Sequence, residues 1–331
     1  MRFSVLGAGG WGTAIARLLA NAEHETILWT RKPDHAASLA EARENLKYLP
    51  GVALPIDRLT VTSSLEEAAD RADAYFLAVP SFAVGELLTR LAEHIPGDSA
   101  LINLAKGLDR STRKTVSELI AERLPNASAF ALSGPSHAEE VGRDVPTAVV
   151  LAGENLDVGE RLQREVATSR FRVYLSADVR GVELCAALKN VIALATGISD
   201  GLGYGDNSRG ALITRGLAEM ARFGRTLGIR DKTFFGLAGL GDLVATCTSQ
   251  HSRNRYVGYR LGAGDNLQAI LDEMTMVAEG VYATAIVSEM AKERGIEMPI
   301  TEAVACLLAG DVTPAELVER IMTRAPKRED L

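Results

Sequence analysis

The first half of the chain alternates short apolar runs with longer amphipathic stretches. The apolar runs have strand length and are rich in β-branched and aromatic residues, whereas the stretches between them repeat their apolar positions at helical spacing. This pattern predicts helices over 13–22 and 84–94, and strands over 3–6, 26–29, 75–79, 100–103, 130–132, 148–151 and 171–175. Because strands that alternate with helices form right-handed βαβ units, this half is predicted to be a doubly wound α/β domain with a parallel sheet.

The pattern changes near residue 178. Beyond it, strand alternation almost disappears, and helices are predicted over 179–196, 211–227, 267–274, 282–294, 301–308 and 314–322. Gly, Asn and Pro separate these stretches, as helix ends require. The sequence therefore predicts two domains, an α/β domain over 1–177 and an all-helical domain over 178–331, with a charged tail from Lys327 that is expected to fray.

Composition narrows the class of protein. The chain has 331 residues, enough for two domains that each bury a core, and its 36 Lys and Arg against 43 Asp and Glu give a net charge of −7. That balance argues against a nucleic-acid partner, since such proteins neutralise phosphates with basic residues. Three widely spaced cysteines indicate neither a disulfide framework nor a zinc cluster. No apolar run reaches the about 18 residues of a spanning helix, and no signal peptide is recognisable. We expect a cytoplasmic protein without membrane insertion.

Residues 7–12 read Gly-Ala-Gly-Gly-Trp-Gly, directly after the first predicted strand and before the first predicted helix. In that setting G-x-G-x-x-G is typical of dinucleotide-binding turns. Gly7 permits the tight turn, Gly9 lets the backbone approach a pyrophosphate, and Gly12 allows helix and strand to pack closely. The helix N-terminus offers N–H groups to the phosphates. A tight turn without a ligand is the alternative.

The second predicted strand ends with two cations, Arg31 and Lys32. Sites that prefer NAD usually place a carboxylate here for the ribose hydroxyls. A carboxylate would repel a 2′-phosphate, whereas Arg31 can bind one through its guanidinium. The sequence therefore predicts that NADP(H) is the preferred cofactor and that NAD(H) stays possible. The alternative is a solvated basic loop.

Three more loops follow predicted strands, at residues 79–81, 103–107 and 133–136. They lie at the carboxyl edge of the sheet, where open α/β folds bind ligands. Lys106 is predicted to contact a ligand there, although a solvated lysine is the commoner role of any single Lys. Gly134 and Ser136 belong to the third loop, which offers backbone N–H groups and hydroxyls before a short predicted helix.

Lys189 lies in the middle of an apolar helix of small residues, and no residue three or four positions away is a carboxylate. Burial would lower the pKa of this amine, which would make it a competent general base for a hydroxyl proton. A lysine that reaches solvent past its small neighbours fits this segment equally well.

Two glycine-rich segments, 199–207 and 239–243, are predicted to be loops between helices. Ser252, Arg253 and Asn254 then fall at a predicted helix start, which can bind a phosphate or an oxyanion. A serine cap without a ligand is an equally common role. His137 and His251 lack metal-ligand spacing, so no metal site is predicted.

Taken together, these residues resemble those of bacterial NAD(P)-dependent glycerol-3-phosphate dehydrogenases. The matching stretches cover nearly the whole chain: GAGGWGTA, AKGL, SGPSHAEEV, LKNVIALATGISDGLGYGDN, ALITRGLAEM, AGLGDL, SRNR and MVAEG. The resemblance implies reversible reduction of dihydroxyacetone phosphate to sn-glycerol 3-phosphate, which feeds glycerophospholipid synthesis. It also implies a Rossmann-type domain followed by an all-α domain like that of 6-phosphogluconate dehydrogenase, a phosphorylated triose as substrate, and a homodimer.

The resemblance assigns roles at matching positions. Lys189 would accept the proton of the substrate's secondary hydroxyl and would protonate the carbonyl oxygen in the reverse direction, which favours the base over the solvent-facing alternative. The implied substrate contacts are Lys106, Gly134, Ser136, Lys189, Asp242, Ser252, Arg253 and Asn254. The expected cofactor contacts are Gly7, Gly9, Gly10, Trp11, Gly12, Arg31, Lys32, Lys106, Ala138, Arg253, Val277 and Glu279.

Two other functions fit part of this pattern. A 3-hydroxy-acid or ketopantoate dehydrogenase of the same two-domain plan would share the first half, but it would have less use for a phosphate site at 252–254. A non-catalytic NADP-sensing module would keep the glycine motif and gain nothing from a buried Lys189.

Overall fold

The computed structural model describes residues 1–326 and 328 of the chain. It divides into two compact units, Met1–Glu183 and Leu184–Leu331. The boundary expected near residue 177 stays a prediction. The tail that is expected to fray begins at Lys327 and, apart from Arg328, lies outside the described residues.

The described part of the first unit contains ten strands. These are β1 (Arg2–Leu6), β2 (Glu25–Trp29), β3 (Glu44–Asn45), β4 (Leu49–Ala53), β5 (Leu59–Thr62), β6 (Ala74–Leu77), β7 (Ala100–Asn103), β8 (Ser128–Ser133), β9 (Thr147–Gly153) and β10 (Phe171–Ser176). Eight of them form one sheet in the order β10-β9-β8-β7-β6-β1-β2-β5, and β3 and β4 form a separate antiparallel hairpin.

The strand order reverses at β1. From there the chain continues through β2 to β5 on one side and through β6 to β10 on the other. The β1–β6 boundary is therefore the topological switch point, outside which open α/β sheets bind their ligands. The predicted doubly wound sheet is confirmed, with one departure from parallel pairing, because β8 and β9 run antiparallel.

Helices cover both faces of this sheet. The first unit holds α1 (Gly10–Asn21), α2 (Pro33–Ala42), α3 (Leu65–Ala69), α4 (Ser81–Leu91), α5 (Val116–Arg123), α6 (Ala138–Val141) and α7 (Leu156–Val166). Side chains alternate across each strand, so neighbouring residues enter opposite cores. On β6, Phe76 packs into one core, whereas Tyr75 and Leu77 pack into the other.

Among the described residues, the second unit contains helices and no strand, as the sequence predicts. α8 (Val179–Gly201) begins in the first unit. It is followed by α9 (Asp206–Arg225), α10 (Asp231–Phe234), a π-helical turn (Leu237–Gly241), α11 (Asp242–Thr248), α12 (Arg253–Gly262), α13 (Leu267–Glu273), α14 (Glu279–Glu293), α15 (Pro299–Ala309) and α16 (Pro314–Met322).

Both predicted glycine-rich loops are largely helical. α8 continues to Gly201 and α9 begins at Asp206, while segment 239–243 forms the π-helical turn and the start of α11. The α8 glycines serve packing rather than chain reversal. A Cβ at Gly197 would lie 2.1 Å from Arg255 O, and one at Gly201 would lie 2.1 Å from Tyr259 O, so α12 could not approach α8 if either residue carried a side chain.

α8 is long and apolar enough, by length and composition alone, to cross a membrane, although polar residues interrupt its apolar run. The whole of its apolar window is buried within the structure. Buried core helices of globular proteins have the same composition, so this helix is only weak evidence for membrane insertion.

Candidate active site

The glycine-rich turn has the shape that its sequence predicts. Gly7 adopts φ +132°, and a Cβ there would lie 2.5 Å from Ala78 O. A Cβ at Gly12 would lie 1.9 Å from Gly7 O, so helix α1 can start this close to β1 only with glycine at that position. At Gly9 a Cβ would meet nothing within 4 Å. The turn therefore has no room for a side chain at Gly7 or Gly12, whereas Gly9 faces open space.

These residues fit a dinucleotide. The first turn of α1 carries no acidic side chain, so its N–H groups and positive dipole end face no competing anion from that turn. A Cβ at Gly10 would lie 3.6 Å from the Cβ of Ala138, which brings two expected cofactor residues together. The Nε1 atom of Trp11 is buried and has no acceptor among the described residues.

Arg31 and Lys32 follow β2 and are exposed. In the part of the chain that the structure describes, neither side chain makes a hydrogen bond or an ion pair. Both are therefore accessible to a ligand, and the solvated-loop alternative stays open. The 2′-phosphate contact of Arg31 remains a prediction.

Lys106, Gly134 and Ser136 lie together. The Nζ of Lys106 donates to Gly134 O at 3.0 Å and to Ser136 Oγ at 3.3 Å. Ser136 Oγ also donates to Gly134 O at 2.9 Å. The loop after β8 was expected to offer N–H groups to a ligand. In the structure its Gly134 carbonyl accepts from Lys106 Nζ and so orients the lysine side chain.

Sequence reasoning missed the group that supports the Lys106 loop. Asn103 accepts from Ala105 N at 2.8 Å and donates to Glu183 Oε1 at 2.7 Å. Ser117 Oγ donates to the other oxygen of Glu183 at 2.5 Å. Burial raises the pKa of Glu183, although the hydrogen bonds from Ser117 and Asn103 stabilise its charged form. No local pattern reveals this group, since Asn103 and Glu183 are 80 positions apart.

Lys189 pairs with a carboxylate on another helix. Its Nζ lies 2.5 Å from Asp242 Oδ1 and donates to Thr246 Oγ1 at 2.7 Å. Lys189, Asp242 and Thr246 are 4%, 2% and 5% exposed, so the alternative in which the amine reaches solvent is wrong. These partners come from α11, a separate helix, so the spacing of residues along α8 does not reveal them. A carboxylate at this distance stabilises the ammonium form.

Thr246 is a further residue that sequence reasoning missed. It lies one turn after Asp242 on α11, and its hydroxyl donates to Asp242 O at 2.6 Å. Its oxygen is thereby oriented to accept from Lys189. Residues four apart on a helix share a face, so the spacing of Asp242 and Thr246 indicates that they act together. That spacing is informative only if both residues lie on a helix, whereas Asp242 was predicted to lie in a loop.

Ser252, Arg253 and Asn254 do form a helix start. Ser252 Oγ accepts from Arg255 N at 3.2 Å and so caps α12. Arg253 Nη1 donates to Val277 O at 2.8 Å. Asn254 Oδ1 accepts from Gly280 N at 2.9 Å. These contacts join the N-terminus of α12 to the segment that begins α14.

The same contacts bring four expected ligand residues of the second unit close in space. Val277 and Glu279 flank the start of α14, and a Cβ at Gly280 would lie 2.7 Å from Asn190 O and 2.8 Å from Asn254 Oδ1. The Lys189 region of α8 therefore lies beside the starts of α12 and α14.

No group of three or more His, Cys, Asp or Glu side chains that could hold a metal occurs among the residues that the structure describes.

Two family models match this chain. The N-terminal model of NAD-dependent glycerol-3-phosphate dehydrogenase matches residues 2–158, and the C-terminal model matches residues 178–319. The chain belongs to the NAD-dependent glycerol-3-phosphate dehydrogenase family. A glycerol-3-phosphate dehydrogenase [NAD(P)+] from Chlorobium limicola is 46% identical over 332 residues, which is 99% of either chain.

Solved structures agree with this assignment. A crystal structure of glycerol-3-phosphate dehydrogenase from Coxiella burnetii has a TM-score of 0.94 at 39% identity, covering 98% of this chain and 99% of its own. A ketopantoate reductase from Ralstonia eutropha, which represents the rival dehydrogenase class, has a TM-score of 0.62 at 17% identity and shares the fold alone, over 96% of this chain and 100% of its own.

Membership of this family makes the chain an oxidoreductase that uses a nicotinamide cofactor and interconverts dihydroxyacetone phosphate and glycerol 3-phosphate. The activity expected from the resemblance is thus confirmed, and neither the sensing module nor the ketopantoate alternative is supported.

Proposed function

We propose that this chain works chiefly as a reductase of dihydroxyacetone phosphate and that Lys189 is the group that moves the proton. The observation that carries the proposal is the buried contact of Lys189 with Asp242 and Thr246. A buried amine next to a carboxylate is held as an ammonium. An ammonium is the form that can protonate a carbonyl oxygen, so the pairing favours the reduction direction.

When bound, a reduced nicotinamide would supply the hydride. Lys189 donates a proton to the C2 oxygen as negative charge develops there, which is general acid catalysis. Asp242 keeps the amine charged before the transfer, and Thr246 orients one of its N–H bonds. In the oxidation direction Lys189 acts as the base, and it must first lose a proton from the form that Asp242 stabilises.

The remaining proposed contacts follow the family positions. Arg253 and the N-terminus of α12 are suited to a phosphate, because a guanidinium and free helix N–H groups both bind anions. We assign the substrate contacts Lys106, Gly134, Ser136, Asp242, Ser252, Arg253 and Asn254. We assign the cofactor contacts to the glycine turn and to Arg31, Lys32, Lys106, Ala138, Arg253, Val277 and Glu279.

Arg31 supports a preference for NADP(H). It is exposed where an NAD-preferring site usually carries a carboxylate, and its charge complements a 2′-phosphate. A cytoplasmic location and a role in glycerophospholipid synthesis follow from the same family and belong to this proposal. So does a homodimer, which the family resemblance implies.

Loss of NADPH absorbance on addition of dihydroxyacetone phosphate tests the proposal. We expect turnover with this substrate, none with ketopantoate or a 3-oxo acid, and faster reduction than oxidation at neutral pH. Turnover with ketopantoate, or oxidation of glycerol 3-phosphate that outpaces reduction at neutral pH, would contradict it.

A further inference from the structure

The hairpin formed by β3 and β4 packs on the glycine-rich turn. Its side chains Leu49 and Val52 are buried in the same core as α1. The position of a Cβ on Gly10 lies 2.7 Å from Tyr48 O, so the hairpin backbone reaches the first residue of α1. A side chain on this hairpin can therefore act directly on the turn.

Asn45 is that side chain, and it is 1% exposed. Its Nδ2 donates to Ala8 O at 3.0 Å and to Thr13 Oγ1 at 2.7 Å. Its Oδ1 accepts from Tyr48 N at 3.2 Å. Both amide protons and the amide oxygen are thus engaged, and the side chain joins the hairpin, the glycine turn and the first turn of α1.

The contact with Ala8 fixes more than one carbonyl. Ala8 C=O and Gly9 N–H belong to one peptide unit, which is planar and trans, so they point in opposite directions. Holding Ala8 O towards Asn45 therefore directs Gly9 N–H away from Asn45. Gly9 is the open position of the turn, where a Cβ would meet nothing within 4 Å.

We propose that Asn45 is a positioning residue for the dinucleotide: it fixes the Ala8–Gly9 peptide so that the turn presents its N–H groups to the pyrophosphate without rearrangement. This rests on the proposed cofactor role of the glycine turn. NADPH and NADH share the pyrophosphate, so loss of Asn45 weakens both equally. Pre-organisation of this kind changes affinity rather than the proton-transfer step.

Two variants of Asn45 test the proposal. Asn45→Ala removes the amide, and Asn45→Asp keeps its size but loses both donors. Fluorescence titration of the reduced nicotinamide measures dissociation constants without any turnover. We expect both variants to bind NADPH and NADH about tenfold more weakly, by the same factor for the two cofactors, with kcat at saturating NADPH within about threefold of the wild type.

Two controls separate positioning from general stabilisation. Thr13→Val loses the Thr13 contact and keeps the Ala8 contact, so its affinities should stay within about threefold of wild type. Asn155 caps α7 and donates to Ser128 Oγ at 3.1 Å. Asn155→Ala should lower the melting temperature and leave both affinities unchanged.

Several results would overturn the proposal. One is that both Asn45 variants bind the cofactors with wild-type affinity. Another is that they bind only NADPH more weakly. A third is that Thr13→Val weakens cofactor binding as much as the Asn45 variants do. Failure of the glycine-turn assignment looks different, because Gly9→Ala would then also bind both cofactors with wild-type affinity. If Asn45→Asp does not fold, the Ala variant decides alone.

Discussion

Lys189 Nζ and Asp242 Oδ1 lie 2.5 Å apart, joining two helices across 53 positions of sequence. Both side chains are almost completely buried. Burial without a partner would disfavour the charged amine, whereas an adjacent carboxylate favours it. The pair therefore supports the proposed role of Lys189 as the proton donor in reduction.

Asp242→Asn keeps the shape of this partner and removes its charge. We expect kcat for reduction to fall about a hundredfold, because the amine is no longer held as an ammonium. The KM for NADPH should change less than about threefold, since no cofactor contact is assigned to Asp242. Steady-state kinetics below the melting temperature of the variant measures this. The matched control is Asp231→Asn, which breaks the exposed pair with Arg225. If kcat for Asp242→Asn were as high as kcat for this control, the proposed role of the Asp242 carboxylate would be refuted.

Gly9→Ala tests whether the open side of the glycine turn faces a ligand. Its Cβ would meet no protein atom within 4 Å, so the variant should fold normally. A pyrophosphate at this surface would collide with the methyl group, so we expect the dissociation constants of NADPH and NADH to rise at least about tenfold together. Gly97→Ala is equally unhindered and lies elsewhere in the same unit, so it should bind like the wild type. Unchanged affinities in Gly9→Ala would place the pyrophosphate elsewhere.

Arg31→Glu tests the predicted preference for NADP(H). The carboxylate would repel a 2′-phosphate and could accept hydrogen bonds from ribose hydroxyls. We expect the KM for NADPH to rise by about tenfold or more and the KM for NADH to change much less. Arg90→Glu, an exposed arginine in the last turn of α4, makes the same change in charge and should affect neither. Equal effects on both cofactors in Arg31→Glu would refute the assignment.

Glu219 gives the second unit a pH-dependent stability. It accepts from Ile300 N at 2.6 Å and from Thr301 N at 3.2 Å at the start of α15, and burial raises its pKa to about 7. In the unfolded chain its pKa is near 4.5. The native state therefore binds the proton more tightly, and its contribution to stability is full below about pH 4.5 and is lost as pH rises through 7.

Urea unfolding of Glu219→Gln between pH 5 and 8 checks this behaviour. The free energy of unfolding of the wild type, relative to this variant, should fall with rising pH by roughly 3 kcal/mol or less. Glu316 is the control of opposite sign. Hydrogen bonds from Thr313 lower its pKa, so its contribution is present above the unfolded pKa and is lost towards acid. A pH-independent difference for Glu219→Gln would show that this carboxyl does not titrate there.

The pattern of apolar and polar residues correctly predicted those helices and strands that a short stretch of sequence specifies by itself. The seven expected strands all occur, and the helix expected over 314–322 coincides with α16 (Pro314–Met322). β3, β4 and β5 were missed because β3 has only two residues, β4 contains Pro and Gly, and β5 is an edge strand. The helix predicted over 179–196 was ended too early, and Gly201 was placed in a loop, because glycine is common at helix ends; here Gly197 and Gly201 lie inside α8, where close packing on α12 requires them.

The candidate site divides in the same way. The glycine turn and the Ser252 cap are readable because each is a motif of a few consecutive residues. The Asp242 partner of Lys189, the Glu183 support of Asn103 and the Asn45 contact with Ala8 join residues 37 to 80 positions apart. Such contacts depend on tertiary packing, which no spacing within one helix reports.

Lys189→Ala tests the central claim most directly, with kcat for reduction and the NADPH dissociation constant measured on the same preparation. We expect kcat to fall at least about a thousandfold, while the dissociation constant stays within about threefold of the wild type. Lys232→Ala, at an exposed lysine of α10, should leave both values unchanged. Turnover within tenfold of the wild type in folded Lys189→Ala would contradict the account, since another group would then be moving the proton.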